Sequence, residues 1–360
     1  MRFFDCIFDQ MSFQTEIICW YHTNKRDLPW RNSTDAYVIW LSEIILQQTR
    51  VEQGLPYFNR FLENFPTVKD FAQASETQIL KLWQGLGYYS RGRNMLFTAK
   101  QIMQLHNGVF PTDYKSLIKL KGIGDYTAAA ISSFSSNEEK AVLDGNVFRV
   151  LSRYYGLQEP INSTQGVKMF AALAQQLIVQ QQPSVYNQAI MEFGALQCKP
   201  KSPLCGNCPL QLGCYAFANH KVDQLPVKLK KIKTRVRWFN YFVAIDGDYI
   251  LAKQREAGDV WQHLYDFPLI ETDSLPAIDQ VSFLKEIQVQ FGHQAVVNLL
   301  YQKKHLLTHQ TIYVQFFALH NYMPNLDCKI KSFLMEDFKE LPHPKVISEF
   351  VETHINSNQI

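Results

Sequence analysis

Two acidic residues stand where a carboxyl group could do proton or charge chemistry. Glu43 lies in the run Ala36-Tyr37-Val38-Ile39-Trp40-Leu41-Ser42-Glu43-Ile44-Ile45-Leu46, and at helical spacing its neighbours are Ile39, Trp40 and Leu46. A helix apolar on nearly every side is a buried one. Desolvation there raises a carboxyl pKa and keeps the proton on near neutral pH. A Glu that leans to the surface, or pairs with an arginine, is the alternative this pattern leaves open. Asp144 follows Ala141-Val142-Leu143 and opens Asp-Gly-Asn before Val147-Phe148-Arg149-Val150-Leu151. That is a helix-entry position, where Asp is a favoured cap.

Three further clusters carry chemistry. Lys121-Gly122-Ile123-Gly124 separates two helical stretches. Bare backbone at Gly122 and Gly124 admits a ligand to N–H groups at the next helix's positive end, which suits a phosphate. As packing alone, the same stretch is a helical hairpin. Gly85-Leu86-Gly87-Tyr88-Tyr89-Ser90-Arg91-Gly92-Arg93 forms a basic, aromatic, flexible patch fit for stacking on bases or for phosphate contact. Cys198, Cys205, Cys208 and Cys214 fall in one stretch tightened by Pro203, Pro209 and Gly213. Such clustering indicates a metal and not a disulfide framework. Structural zinc favours paired two-residue claws, whereas one such pair with two wider gaps better fits a [4Fe–4S] cluster.

The elements that must position these groups read as all-α up to residue 196. Helices are predicted at 12–20, 36–51, 56–64, 67–73, 75–84, 94–106, 113–120, 126–134, 146–155, 163–182 and 184–196. From Lys221 to Arg237, Lys221, Lys228, Lys230, Lys231, Lys233, Arg235 and Arg237 face one acid, Asp223. This stretch is expected to be a basic interdomain linker lying along a polyanion. Beyond it the pattern turns to period two: strands at 238–245 and 249–253 around an Asp246-Gly247 turn, then 299–307, 311–319 and a short one from 331. Helices are predicted at 279–290 and 344–353. The expected fold is multidomain, with an all-α domain over 1–220, a linker over 221–237 and an α+β domain over 238–360.

A chain of 360 residues, 46% hydrophobic and 19% charged, can bury a sizeable core. A net charge of +3 means that any polyanion footprint is local. No apolar run approaches the ~20 residues that span a membrane. The N-terminus carries two acids and no small-residue cleavage site, so no signal peptide is expected and a cytoplasmic location is.

The motifs converge on one family. Leu28-Pro29-Trp30-Arg31, the Trp40–Thr49 run, Leu82–Arg91, the hairpin from Leu120 to Ala130, Leu143–Val147 and the cysteine spacing together resemble the adenine DNA glycosylases of MutY type. These belong to the helix-hairpin-helix superfamily that includes endonuclease III. The match runs nearly end to end. It implies a base-excision-repair hydrolase that flips adenine out of double-stranded DNA, opposite 8-oxoguanine or G, and leaves an abasic site. It implies Glu43 as general acid to the departing adenine and Asp144, ionised at a helix N-terminus, as stabiliser of the charge growing on the sugar, with Tyr126 and Asn146 orienting them. Arg31 and Leu46 receive or border the base, and Gln48 and Tyr88 fill the gap in the stack. Gln47, Thr49, Arg91, Gly122 and Gly124 lie along the DNA, while Cys198, Cys205, Cys208 and Cys214 hold a [4Fe–4S] cluster.

Relatives that also cut the backbone place a Schiff-base lysine two residues after the second hairpin glycine. Here that residue is Tyr126, which offers no amine, so a monofunctional enzyme is expected. The C-terminal part resembles the family's Nudix-like domain. Residues 279–292 read D-Q-V-S-F-L-K-E-I-Q-V-Q-F-G and lack the R-E-x-x-E-E box that holds magnesium. The family's Phe-Ser-His lesion-reading loop is here Leu307-Thr308-His309, which keeps a hydroxyl and loses an aromatic contact. A monomer in a bacterial-type, nucleoid-associated setting is expected. The competing readings are a glycosylase for thymine mismatches, which the C-terminal domain opposes, and a non-catalytic iron–sulfur DNA-binding module, which the pair Glu43 and Asp144 opposes.

Overall fold

A computed structural model of the chain describes residues 12–229, 234–277, 280–323 and 327–355. Two compact units emerge: Met1–Gln73 with Phe97–Lys230, and Ala74–Leu96 with Lys231–Ile360. In chain order the helices are α1 (Phe13–Asn24), α2 (Ala36–Ile45), α3 (Val51–Asn64), α4 (Val68–Gln73), α5 (Glu76–Trp83), α6 (Ser90–Leu105), α7 (Tyr114–Leu117) and α8 (Asp125–Ser136). Then follow α9 (Gly145–Tyr155), α10 (Thr164–Gln176), α11 (Pro183–Leu196) and the single turn α12 (Tyr215–Ala218).

The helices start where short polar side chains can cap them. Asp35 accepts from Tyr37 N, Asp113 from Ser116 N, and Ser163 from Gly166 N. Ser75 and Gln78 form a reciprocal capping box on α5. The first unit's core joins Phe13, Ile17 and Tyr21 of α1 to Val147, Val150 and Leu151 of α9 and to Tyr186, Ala189, Ile190 and Phe193 of α11. This packing fixes the start of α9, and with it Asp144. The helix predicted over 36–51 is shorter than expected. It ends at Ile45, because Gln48 turns left-handed (φ 57°) and the polar Gln47–Thr49 stretch forms a turn before α3.

The second unit has a four-stranded sheet ordered β5-β1-β7-β6, with β1 (Arg235–Val243), β5 (Leu269–Thr272), β6 (Val296–Leu306) and β7 (Gln310–His320). β1 and β7 run parallel and the other pairs antiparallel. α13 (Val281–Phe291) packs Phe283, Ile287 and Phe291 on Phe242 and Phe317 of this sheet. A second sheet joins β2 (Ile245–Asp246), β3 (Tyr249–Gln254), β4 (Tyr265–Asp266) and β8 (Lys331–Leu334), and α14 (Met335–Glu340) and α15 (Lys345–Phe350) close the chain. The observed turn is Gly247-Asp248, with Asp246 ending β2, and it joins β2 and not the long β1 to β3, a correction of the simple Asp246-Gly247 hairpin expected. β1 instead takes a parallel partner from 75 residues later in its register, Arg235 opposite Gln310.

The basic stretch is corrected in part as well. Arg237 is no linker residue: it lies in β1, 5% exposed, its guanidinium on Asp259 (2.6 Å) and Glu271 (2.6 Å). Arg235 opens the same strand. Lys230, Lys231 and Lys233 lie outside the described residues. Beside Arg237, Arg255 bridges Asp259 (2.8 Å) and the wholly buried Asp266 (2.7 Å), whose Oδ2 also accepts the Tyr241 hydroxyl (3.1 Å). Removing one member of a buried pair leaves an uncompensated charge. Asp266→Ala is thus expected to cost about 3 kcal/mol, the low end for such a break because Asp259 still serves Arg255. A lowered urea midpoint for the second unit's transition checks it.

Candidate active site

α2 is buried along nearly its whole length, and Glu43 with it, at 9% exposure. Burial pushes its carboxyl up to about 7, helped by the Asp144 charge, while the Tyr126 hydroxyl and Arg31 pull the other way. Tyr126, in the first turn of α8, donates its hydroxyl to Glu43 Oε2 at 2.6 Å. The same hydroxyl's pKa lies well above its ordinary value, from burial and then from Glu43 and Asp144. It therefore stays a donor.

Asp144 caps α9. Its Oδ1 accepts Asn146 N (2.9 Å) and Val147 N (2.8 Å), and its Oδ2 accepts Asn146 Nδ2 (2.7 Å). These bonds require acceptor oxygens and favour the carboxylate. The helix terminus is not the only influence on this acid. Burial outweighs the bonds from Val147 and Asn146, and the net direction of the Asp144 pKa is upward. Asn146 is held in turn by Arg149, whose Nη2 donates to Asn146 Oδ1 (2.9 Å) and Gly194 O (2.6 Å). A Cβ on Gly194 would stand 2.6 Å from Asn146 Cβ. Only glycine there lets α11 reach the start of α9.

Glu43, Leu46, Tyr126, Asp144, Asn146 and Arg31 line a cavity of about 530 Å³, within the usual range for a small-molecule pocket. A more open cleft of about 910 Å³ shares Glu43, Leu46, Tyr126 and Asp144, and continues over Gln47, Gln48, Gly124, Gly145, Lys140 and Lys168. The carboxyl pair thus stands where a base-sized pocket meets a groove that carries cations. Thr49 lines the pocket, and Gln47 Nε2 donates to Thr127 Oγ1 at 3.3 Å. In the hairpin, Gly122 has φ 76°, a conformation that favours glycine. Gly124 has an ordinary extended backbone, and a Cβ there would touch nothing within 4 Å. No neighbour in the chain requires that glycine, and its backbone is left open to an approaching ligand.

Glu192 and its partner Arg26 in the pocket wall were not anticipated. Glu192 of α11, 1% exposed, takes Arg26 Nε (2.8 Å), Arg26 Nη2 (2.8 Å) and Arg31 Nη2 (2.7 Å). Burial alone would raise its pKa, but these guanidinium bonds outweigh it and hold the carboxyl down to about 2. Arg31 also donates to Arg26 O at 3.2 Å, so its guanidinium is fixed as one wall. The signal was available: Glu192 is a lone acid in the apolar helix Ala189-Ile190-Met191-Glu192-Phe193, the pattern that marked Glu43.

Around the four thiols, Arg153 is buried and donates to Cys198 Sγ (3.4 Å) and to Lys199 O (2.8 Å), while Cys214 Sγ donates to Arg153 O (3.6 Å). The Gln197 side chain closes the loop onto Leu204 O (2.6 Å). In the second unit, Leu307, Thr308 and His309 form the tight turn between β6 and β7, closed by Leu307 N to Gln310 O at 2.8 Å. The Tyr88 hydroxyl hydrogen-bonds Thr308 Oγ1. Tyr88 has φ 48°, which costs a bulky residue about 1–2 kcal/mol. Arg91 stacks over the rings of Trp83 (5.1 Å) and Tyr88 (5.7 Å), and its Nη2 reaches Leu86 O and Gly87 O. It is thus tied into the loop.

Residues 41–177 match the model of the HhH-GPD superfamily of base excision DNA repair proteins, and residues 240–353 that of the NUDIX domain. The adenine DNA glycosylase of Buchnera aphidicola subsp. Baizongia pistaciae (strain Bp) is 36% identical over 304 residues, 84% of each chain. That of Buchnera aphidicola subsp. Schizaphis graminum (strain Sg) is 32% identical over 348 residues, 94% of this chain and 98% of the relative. The chain belongs to the adenine DNA glycosylase family. A solved thermostable thymine-DNA glycosylase superposes with a TM-score of 0.54 at 27% identity, but covers only 57% of this chain against 95% of its own. This adenine DNA glycosylase family member is therefore a hydrolase of N-glycosyl bonds with a helical HhH-GPD part and a C-terminal NUDIX-like part built on sheets. Among the described residues no helix is long and apolar enough to cross a membrane.

Proposed function

We propose that the chain removes adenine standing opposite 8-oxoguanine or guanine in duplex DNA, and leaves an abasic site without cutting the backbone. The observation that carries this is a buried Glu43 whose pKa is raised to about 7, beside a capping Asp144, in one base-sized pocket at the head of a groove. An adenine flipped into the pocket meets Glu43 as a proton donor. As the bond from the sugar C1′ to adenine N9 breaks, its electron pair leaves on the base, and the Glu43 proton neutralises it. The positive charge growing on the deoxyribose is met by the Asp144 carboxylate. Water then supplies hydroxide to C1′, and its remaining proton restores Glu43. Tyr126 and Asn146 hold the two carboxyls in place, and Arg31 with Leu46 bounds the base.

Gly122 and Gly124 would present backbone amides to phosphates, while Gln47, Gln48, Thr49, Tyr88 and Arg91 would contact or fill the opened stack. Leu307, Thr308 and His309 would read the base opposite. In domain terms the glycosylase part is assigned to 1–220 apart from 74–96, which group with the second unit, and the reader is taken to start with β1 at Arg235, with the protein acting as a cytoplasmic, nucleoid-associated monomer.

The four thiols also fit an iron–sulfur group. Cys198, Cys205, Cys208 and Cys214 are not paired as disulfides, and the buried Arg153 aims an N–H at the Cys198 sulfur, the sort of bond that tunes such a centre. Those cysteines would hold a [4Fe–4S] cluster, which would supply a structural clasp and no step of the hydrolysis. Cys208→Ser is expected to lower iron content per chain, measured by iron analysis and the visible absorption of the purified protein. Full iron content in that variant would remove Cys208 from the ligand set.

The functional test is a single-turnover assay on duplexes with A opposite 8-oxoguanine, A opposite G and T opposite G, each quenched with and without hot alkali. Strand scission only after alkali, fastest for A opposite 8-oxoguanine, is expected, because Tyr126 stands where a lyase would need an amine. Scission without alkali, or a preference for T opposite G, would overturn the reading.

A further inference from the structure

Residues 74–96 fold as part of the C-terminal unit, and within it the loop carrying Tyr88 is gripped at both ends by one residue. Before the loop, Gln84 accepts the His343 backbone N–H on Oε1 (3.1 Å) and donates from Nε2 to Ser348 Oγ (2.7 Å). After it, the Tyr89 hydroxyl donates to the His343 carbonyl (3.0 Å) and its oxygen accepts the Gly85 N–H (3.4 Å). His343 is itself fixed. Its ring is 2% exposed, stands 4.3 Å from the Phe338 ring, and turns its nitrogens to Tyr265 O (2.9 Å) and Phe338 O (2.8 Å).

Between the grips, Gly85, Gly87 and Tyr88 take φ values of 99°, 72° and 48°. Glycine tolerates such angles, whereas a tyrosine keeps one only where its surroundings dictate it. Trp83 Nε1 donates to Gly87 O (3.0 Å) and Arg91 to the neighbouring carbonyls, but Trp83 and Arg91 border the loop and would move with it. The His343 amide and carbonyl tie it instead to the body that also carries the 307–309 turn, whose Thr308 meets the Tyr88 hydroxyl.

We propose that His343 is a positioning residue for Tyr88, its backbone bracket setting the left-handed conformation from which Tyr88 enters the base stack. The unit that reads the opposite base thereby also sets the wedge. The inference rests on the reading of Tyr88 as stack filler. Its effect falls on capture of the opened duplex and not on bond breaking at Glu43.

The test uses the full chain and an A opposite 8-oxoguanine duplex with 2-aminopurine beside the lesion pair. Tyr89→Phe removes one oxygen and Gln84→Ala the other grip, and thermal melts verify that both fold. Each is expected to raise the half-saturating enzyme concentration about three- to tenfold, the worth of one hydrogen bond, and to damp the 2-aminopurine signal. The maximal single-turnover rate should stay within about twofold, since no catalytic contact is lost. Once Tyr88→Ala has removed the wedge, Tyr89→Phe should add nothing further. A silent Tyr88→Ala would overturn the stack-filling role and the proposal with it. An effective Tyr88→Ala alongside a silent Tyr89→Phe, or additive losses in the double variant, would overturn the bracket alone.

Discussion

Glu43→Gln is expected to slow adenine release by about 10²- to 10⁴-fold, the range for losing a positioned general acid, with duplex binding retained. Glutamine keeps the shape, and its Oε1 can still accept the Tyr126 hydroxyl that now lies 2.6 Å from the carboxyl, but it has no transferable proton. The pH profile separates this from a merely structural loss. With Glu43 raised to about 7, the wild-type rate should hold just below that pH, down to the acid limb set by Asp144, and fall about tenfold per unit above it, while the variant shows no such alkaline limb.

Stability should move the opposite way. Glu43 binds its proton more tightly folded than unfolded, so between its ordinary 4.5 and about 7 the native state holds the extra proton. Folding stability therefore declines as pH rises through that window, by on the order of 2–3 kcal/mol. At pH 8 the glutamine variant should melt higher than the wild type. Lower melting there, or an unchanged alkaline limb, would remove Glu43 as the acid.

What the sequence disclosed follows from the range of the interactions involved. Glu43 was legible because one apolar helix suffices to bury it, and Asp144 because a cap is set by its own next three residues. The Tyr126–Glu43 bond joins α2 to α8, and no local pattern states it. Glu192 shows the limit more sharply. Its burial was readable from its apolar helix, but its partners Arg26 and Arg31 lie more than 160 positions away, so neither its charge state nor its place in the pocket was. The net upward direction at Asp144 was missed for the same reason, since cap chemistry is local and burial is tertiary. In the second unit, alternation gave the strands, whereas the parallel pairing of β1 with β7 withdrew Arg235 and Arg237 from the expected linker. The Tyr88 loop read as flexible from its glycines, but contacts with Gln84, Tyr89 and His343 hold it.

The second large effect belongs to Asp144, and here cap and charge can be separated. Asparagine caps helices about as well as aspartate, and its Oδ1 can still take the Asn146 and Val147 amides. Asp144→Asn should therefore leave stability within about 1 kcal/mol, whereas Asp144→Ala also loses the cap, about 1 kcal/mol more. Both should cost about 10²- to 10³-fold in rate, the usual loss for one preorganised electrostatic group. The asparagine variant also sets its own amide against Asn146 Nδ2, which now donates to Asp144 Oδ2 at 2.7 Å. Asn146 must then turn, and its Oδ1 leaves Arg149. Because burial moves the Asp144 pKa upward, the wild-type acid limb should lie above the ordinary aspartate value. The rate is lost there as pH falls and the stabilising charge is neutralised. Single-turnover rates against pH should thus be bell-shaped in the wild type and keep only the alkaline limb in Asp144→Asn. An acid limb that survives the substitution would assign it to another group, and near-wild-type rates would leave the sugar's charge to be met elsewhere in the pocket.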